Sequence, residues 1–263
     1  KGTLGAANFS TRHTIENTTF GVVWRNRAVS DYLFLHAKLN DPKEFWLTVA
    51  HDRRSDEALV TAMDVENLGH HRPGLDAYWQ NLVTDGRVAT TTLSDYYARL
   101  SREAPCSPVA ASWASQEDEL RNNDPYALWK SPSNAVHQLQ WALVDAVLSV
   151  VDQHRHSLDT ATEDALDRAL ASDGFWWASA QPWWDATIIV RFARQLRAVA
   201  EKLCATKEER AAVERAYQAV AATVREWEAS GAVAQRQNSY LAPHQRIRCM
   251  AGGILTSTKK TTP

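Results

Sequence analysis

A short segment rich in acids and histidines, Asp64-Val65-Glu66-Asn67-Leu68-Gly69-His70-His71, is the part of the sequence best suited to chemistry. It follows the apolar run 58–63, and in an extended chain its two carboxylates, two residues apart, would point to the same side. An acid at the carboxyl end of a strand in an α/β protein is placed where reactive groups collect, and it can act as a general acid. Gly69 would permit a turn that brings the two histidines back over the acids. The segment therefore predicts Asp64 as a general acid. The alternative is a surface loop in which Asp64 only caps the residues that follow.

The side chains of this segment are also of types that bind zinc or manganese. Adjacent histidines in an extended chain point apart, so at most one of His70 and His71 would join Asp64 as a ligand. We therefore favour acid–base chemistry over metal binding at this segment, and we expect neither a metal nor another cofactor.

Tryptophan is the second unusual feature, with 11 residues in the chain. Five aromatic residues fall within ten positions: Phe175, Trp176, Trp177, Trp183 and Trp184. One interpretation is a core plug between the two halves of the chain, expected above all for Phe175 and Trp183. The other is a sugar platform, because an indole offers a flat apolar face to a pyranose ring and an N–H to its hydroxyls. Trp113, in Ser112-Trp113-Ala114-Ser115, would add a further wall to such a platform.

Residues 1–108 show the alternation of strands and helices that would position the acidic segment. The expected strands are 20–24, 58–63 and 88–92. The expected helices are 74–82 and 95–102, and the segment 30–39 could be a helix or a covered loop. Such alternation predicts βα units, in a parallel sheet or in part of a barrel.

Residues 109–234 predict a helical domain, which begins with a long connection, and the polar segment 235–263 is expected to form a frayed tail. Three residues of cap-forming type precede the longer helices: Asn134, Asp185 and Thr206. Thr206 also forms a capping box with Glu209, and Gly231 is expected to end that last helix. A shorter helix is expected over 162–171.

Composition excludes several classes of protein. A net charge of −2 argues against nucleic acid or an anionic membrane surface as the main partner, since both require a basic face. No apolar stretch is long enough to span a bilayer. The three cysteines, Cys106, Cys204 and Cys249, form no CxxC pair, which favours reduced thiols and a cytoplasmic protein. The chain starts at Lys1 in polar sequence, so we expect a fragment or a processed product.

Several segments, in order along residues 20–200, resemble motifs of glycoside hydrolase family 57. Asp64-x-Glu66-x-x-Gly69-His70-His71 is similar to the fourth motif of that family, in which an Asp-x-Glu pair ends a barrel strand. The segment 25–31, Arg-Asn-Arg-Ala-Val-Ser-Asp, resembles an Arg-rich, Ser-Asp segment that precedes it. Ser112-Trp113, Pro125-Tyr-Ala-Leu-Trp129 and Asp173-Gly-Phe-Trp-Trp177 resemble later motifs of the helical region.

The resemblance implies an incomplete (β/α) barrel followed by an α-helical domain. It also implies retaining hydrolysis or transfer on α-glucans by two carboxylates. Asp64 matches the general acid/base and Glu66 a neighbouring acid that binds substrate or orients the site, while Val65 stands where many members have glycine. We expect eight residues to contact the oligo- or polysaccharide substrate: Glu66, His70, His71, Arg25, Trp113, Asp173, Trp176 and Trp177.

The nucleophile of that family is a glutamate on an earlier strand. The glutamates before Asp64 are Glu16, Glu44 and Glu57, and none of them ends an apolar strand. We therefore expect the chain to be the carboxyl-terminal part of such an enzyme, with the nucleophile upstream of Lys1. Two alternatives stay open. A metal-dependent polysaccharide deacetylase would use Asp64 and His70 as ligands, whereas a glycan-binding or scaffold protein would have no catalytic function.

Overall fold

A computed structural model describes residues 10–33, 37, 39, 43–47, 58–87 and 89–240. The protein is mixed α/β and mostly helical, with one small three-stranded sheet in the described residues, which confirms the predicted α/β class at this level. The chain divides into two units, Lys1–Val109 and Ala110–Pro263.

The sheet of the first unit joins strands that are distant in sequence. Its strands are β1 (Thr11–Ile15), β2 (Gly21–Val22) and β3 (Arg102–Cys106), in the order β2-β1-β3. β1 pairs antiparallel with β2 through a tight turn, in which Asn17 has a φ of 59° and the Ile15 N–H donates to Phe20 O (3.0 Å). β1 pairs parallel with β3, Thr11 opposite Arg102. β3 tolerates Pro105 because it is an edge strand of this sheet.

Four short helices accompany the sheet in the described part of this unit: α1 (Arg27–Asp31), α2 (residues 43–47), α3 (Leu75–Thr84) and α4 (Leu93–Arg99). Asn26 begins α1, with its side chain accepting from the Val29 N–H, and Thr92 begins α4 in the same way with the Asp95 N–H. The core of the unit consists of buried apolar residues from α1, α2 and α3 and the residues after α1: Val29, Leu33, Ala37, Phe45, Leu75, Tyr78 and Leu82.

Several predictions for this unit are wrong. Residues 58–63 and 89–92 belong to no strand, and only Gly21–Val22 of the expected strand 20–24 lies in the sheet, while Val88 lies outside the described residues. At the segment 30–39, helix α1 begins at Arg27 and ends at Asp31, and residues 34–36 and 38 lie outside the described residues. The backbone groups of 60–62 bond to α1 and the residues before it, not to a neighbouring strand. The described strands therefore form an open sheet, and a barrel is not seen in them.

The second unit is a group of helices: α5 (Glu117–Arg121), α6 (Ala135–Gln153), α7 (Thr160–Ala169), α8 (Asp173–Trp176), α9 (Ala186–Leu203) and α10 (Lys207–Ser230). The predicted caps are confirmed: the side chains of Asn134, Asp185 and Thr206 each accept a backbone N–H at the start of α6, α9 and α10, and Gly231 ends α10 with a φ of 79°. The apolar faces of α6, α9 and α10 pack against each other and form the core of this unit.

Residues 232–240 are helical again, so the first part of the expected polar tail continues the helical unit. The remainder, 241–263, lies outside the described residues. Among the helices described, none combines the length and the apolar character that crossing a membrane would require.

Candidate functional site

Asp64 lies immediately before a single 3-10 turn, Val65–Asn67, and not at the end of a strand. Its backbone carbonyl accepts hydrogen bonds from the N–H and the side-chain Nδ2 of Asn67, both at 3.1 Å. Asn67 is only 2% exposed, so its amide fixes this turn from inside the protein. Asp64 and Glu66 are exposed, and the Asp64 side chain makes no capping bond. The turn contradicts the extended arrangement of 64–66 and places Asp64 at the N-cap position of an exposed turn, as in the surface-loop alternative, although its side chain makes no capping bond.

The segment leading to Asp64 is held by the residues around the start of α1. The Asn26 N–H donates to Val60 O (2.7 Å), and the Ala62 N–H donates to Ser30 Oγ (3.2 Å). The Arg25 guanidinium donates to Ala62 O (3.0 Å) and contacts the Asp31 carboxylate at 3.3 Å. Residues 25–30 are thus joined by direct hydrogen bonds to residues 60–62, which lead into the segment 64–71. Arg25 therefore holds the backbone at Ala62, two residues before Asp64.

Arg72 anchors the other end of the acidic segment. Its guanidinium donates to Leu33 O at 2.9 Å and to Ala37 O at 2.7 Å, both in the residues after α1. Between these anchors, Gly69 has a φ of 98°, a conformation that favours glycine, and the His71 N–H donates to Glu66 O (2.9 Å).

The rings of His70 and His71 are exposed and lie edge to face, with centroids 4.7 Å apart. Their placement next to the acids raises the question of a metal site, since Asp64, Glu66 and either histidine could supply ligands. Within the residues that the structure describes, however, no three His, Cys, Asp or Glu side chains come together as a set of ligands.

The second unit carries an indole cluster, by which we mean Trp113, Trp129, Trp176, Trp177 and Trp183. Trp176 is at its centre and stacks on Trp113 (centroids 5.5 Å apart, planes at 22°) and on Trp183 (5.9 Å, 28°). Trp129 contacts Trp176 at 5.3 Å, and Trp177 lies edge to face with Trp183 at 5.8 Å. Trp113 and Trp176, which we expected to contact substrate, are thus brought together.

Exposure distinguishes the members of this aromatic segment. Trp113 is 62% exposed and Trp183 is 42% exposed, whereas Trp176 and Trp177 are half-buried. Phe175 is 5% exposed and packs in the core of the helical unit. The core interpretation is therefore confirmed for Phe175 and wrong for Trp183, whose ring lies on the surface of the indole cluster.

Buried polar side chains of α6 hold the chain segment that carries Trp176 and Trp177. Asn134, His137 and Gln140 recur at spacings of three residues on one face of the helix and are fully buried. They donate to the carbonyls of Ala178 (2.9 Å), Phe175 (3.0 Å) and Gly174 (2.8 Å), respectively. The backbone beneath the indoles is thus fixed by three side-chain hydrogen bonds.

The protonation of His137 follows from its two partners. The Ser131 N–H donates to Nδ1 (3.2 Å), so the ring proton is on Nε2, from which it is donated to Phe175 O. Burial lowers the pKa of His137 to about 4, because the charged ring would be removed from water, and the bond to the Phe175 carbonyl opposes this only in part. His137 is therefore a neutral structural group.

Close packing and loop hydrogen bonds position the rest of the cluster. A Cβ added to Gly174 would lie 2.2 Å from the Phe192 ring, so only glycine fits under this segment. The loop that carries Trp113 is closed by the Ser115 hydroxyl, which donates to Pro125 O at 2.6 Å. Asp173 is exposed in the first turn of α8, and its backbone carbonyl accepts from the Trp177 N–H.

Sequence reasoning missed three contributors to these two sites: Asn67 and Arg72, which hold the acidic turn, and Trp183 as a surface indole. The signal for Trp183 was Pro182, because a proline just before an aromatic pair excludes a regular helix with one buried stripe. Of the glutamates considered as nucleophile, Glu16 directly follows β1, a polar strand that an apolar pattern does not reveal, and Glu57 lies outside the described residues.

Comparisons of the chain with models of known protein families, with curated proteins and with solved structures give no match.

Proposed function

We propose that the chain is part of a carbohydrate-active enzyme of the family 57 type, a glycoside hydrolase or glucanotransferase that acts on α-glucans. The observation that carries the proposal is the row of indoles Trp113, Trp176 and Trp183, whose two outer members are exposed. Exposed, preorganised indoles are the side chains best suited to the apolar faces of pyranose rings. A further support is that Arg25 and Ser30 of one motif segment bond to Ala62, two residues before the other motif segment begins at Asp64.

In the proposed reaction Asp64 is the general acid/base. Its carboxyl donates a proton to the glycosidic oxygen as the bond to the sugar breaks, and in the second step its carboxylate takes a proton from water. The exposed side chain has the freedom to reach a substrate, while the bonds from Asn67 and Arg25 fix the backbone that carries it. Glu66 and His70 line the same turn and bind or orient the sugar. The partner carboxylate of a retaining site lies roughly 5–5.5 Å away, and we expect the residues upstream of Lys1 to supply it.

The free thiols Cys106 and Cys204, both buried, fit a reducing compartment. We therefore place the proposed enzyme in the cytoplasm, with an α-glucan as its substrate and neither nucleic acid nor a membrane as its partner.

The sugar-binding part of the proposal is tested by electrophoresis of the chain in gels that contain glycogen. Trp113→Ala removes an exposed indole and should raise the dissociation constant about two- to twelvefold, since an aromatic stacking contact is worth about 0.5–1.5 kcal/mol. Phe20→Ala is the matched control, because Phe20 is an exposed aromatic residue of the first unit and not a member of the indole cluster. Equal retardation of the wild type and Trp113→Ala would contradict the platform.

The catalytic part is tested by turnover of maltooligosaccharides, with the chain as given and with a version extended upstream of Lys1. We expect turnover only in the extended version. There Asp64→Asn should lower it by about 10²–10⁴-fold, the usual cost of losing a proton-transfer group. Asp164→Asn, at an exposed position of α7, controls for the loss of one negative charge. Unchanged turnover in Asp64→Asn would refute the assignment. Chelator-sensitive release of acetate from an acetylated oligosaccharide, without turnover of maltooligosaccharides, would favour a metal-dependent deacetylase. Glycogen binding without turnover in either version would favour a glycan-binding protein.

A further inference from the structure

The helical unit has a cleft of about 490 Å³ whose lining side chains are all polar. It is formed by residues next to α5, the turn at Gln181 and the helical segment 232–240, and its lining includes Gln116, Asp118, Glu119, Gln181, Arg236 and Tyr240. Amide, carboxylate, guanidinium and hydroxyl groups thus converge on one concave surface. Ligand pockets in proteins are mostly lined by apolar residues, so a lining made of polar residue types indicates a ligand that carries several polar groups.

Arg236 is the central residue of this cleft. One of its terminal nitrogens, Nη1, donates to Ser133 O at 3.0 Å, and its guanidinium lies over the Trp227 ring, 5.4 Å from the centroid. Its Nε and Nη2 are buried and have no hydrogen-bond partner among the described residues, and the same is true of Gln181 Oε1. Because buried polar groups are almost always paired, Arg236 and Gln181 keep hydrogen-bonding capacity for an acceptor and a donor that the described residues do not supply.

The charges in the cleft select the kind of ligand. Asp118 and Glu119 lie near Tyr240, and together with burial, the larger cause, they raise the pKa of its hydroxyl. Two carboxylates beside one guanidinium disfavour an anion such as phosphate. A sugar hydroxyl, in contrast, donates to carboxylate and amide oxygens and accepts from a guanidinium with the same atom.

We propose that this cleft is a saccharide-binding site, which holds a neutral sugar by its hydroxyl groups through Arg236 and Gln181. The choice of an α-glucan as the sugar rests on the proposed function. The cleft binds by hydrogen bonds, whereas the indole cluster binds by stacking, so the chain has two saccharide sites that depend on different residues.

The test is a calorimetric titration of the chain with maltotriose, with sodium sulfate as an anionic probe. We expect two binding events for the wild type. Arg236→Met keeps the apolar contact with Trp227 but removes the donors, and it should weaken one event about tenfold or more, as expected for charge-assisted hydrogen bonds. Trp113→Ala should weaken only the other event, so failure of this proposal is distinguishable from failure of the proposed function. Arg225→Met, at an exposed position of α10 and not in the lining of this cleft, is the matched control and should leave both events within twofold.

Gln235→Ala, at an exposed position in the lining, provides a second variant that does not disturb a buried group. If Arg236→Met lowers the melting temperature, weakened binding in Gln235→Ala still supports the site. The proposal is overturned if both lining variants bind maltotriose as the wild type does, or if the wild type shows a single event that Trp113→Ala abolishes. It is also overturned if sulfate binds and the sugar does not, because the cleft would then be an anion site.

Discussion

The neutral, buried His137 predicts a specific dependence of stability on pH. Its pKa is about 4 in the folded protein, against about 6.5 when the chain is unfolded. Above pH 6.5 both states hold the neutral ring, and the shift contributes nothing. Between pH 6.5 and 4 the unfolded state binds a proton that the folded state does not, so stability falls as the pH falls. Each pH unit costs about 1.4 kcal/mol, which gives a total loss of about 3 kcal/mol.

The assay is urea unfolding of the wild type and of His137→Gln, followed by circular dichroism from pH 8 to pH 4.5. Glutamine can still donate to Phe175 O but does not titrate, so the difference between the two curves isolates His137. We expect the difference in free energy of unfolding between the two proteins to be constant above pH 7. Below pH 6 it should change by about 1.4 kcal/mol per pH unit, because only the wild type loses the stability that depends on His137. The reasoning is refuted if the two curves of stability against pH run parallel. It is also refuted if NMR at pH 6 does not find the His137 ring neutral and protonated on Nε2.

Two further substitutions test local packing and charge. Gly174→Ala places a methyl group against Phe192 and should lower the free energy of unfolding by about 1–3 kcal/mol, an overpacking cost that melting curves will measure. Gly231→Ala, with open space but a φ of 79°, should cost about 1 kcal/mol, and an equal loss at both glycines would argue against the steric reason. Bonds from the Thr206 backbone, and then from His154, lower the pKa of Glu209 to about 2. The stabilisation of the folded state by the Glu209 carboxylate is therefore complete above pH 4.5 and is lost as the pH falls towards 2. The melting temperatures of Glu209→Gln and the wild type should converge over that interval.

The helices of the second unit could be predicted because their signals are local. Asn134, Asp185 and Thr206 each cap the helix that they precede, through a hydrogen bond to a backbone N–H three residues further on. The apolar spacing that follows each cap matches the packed faces of α6 and α9. The shorter helix was displaced, since it begins at Thr160 after Asp159 and not at residue 162, and the short helices α5 and α8 lie in segments for which no helix is predicted.

The strands of the first unit could not be predicted from apolar runs, because pairing partners decide them. Thr11–Ile15 and Arg102–Cys106 are polar segments, and they become strands only by pairing with each other across about ninety residues of chain. The apolar run 58–63 has the composition of a strand, but its backbone groups at 60–62 bond to Asn26, Ser30 and Arg25. The composition of a segment shows whether it is able to form a strand, whereas the hydrogen-bonding partner available in the fold determines whether it does.

The candidate sites show the same division. The sequence by itself determined which residues are candidates for chemistry or binding, namely the acids Asp64 and Glu66 and the tryptophans, because the suitability of a side-chain type does not depend on the fold. Only the tertiary structure decided that Asn67 curls the acidic segment into a 3-10 turn, that Phe175 is in the core and that Trp183 is on the surface. The physical reason is that burial and hydrogen bonding depend on groups distant in sequence, such as Phe192 beneath Gly174, which no local pattern encodes.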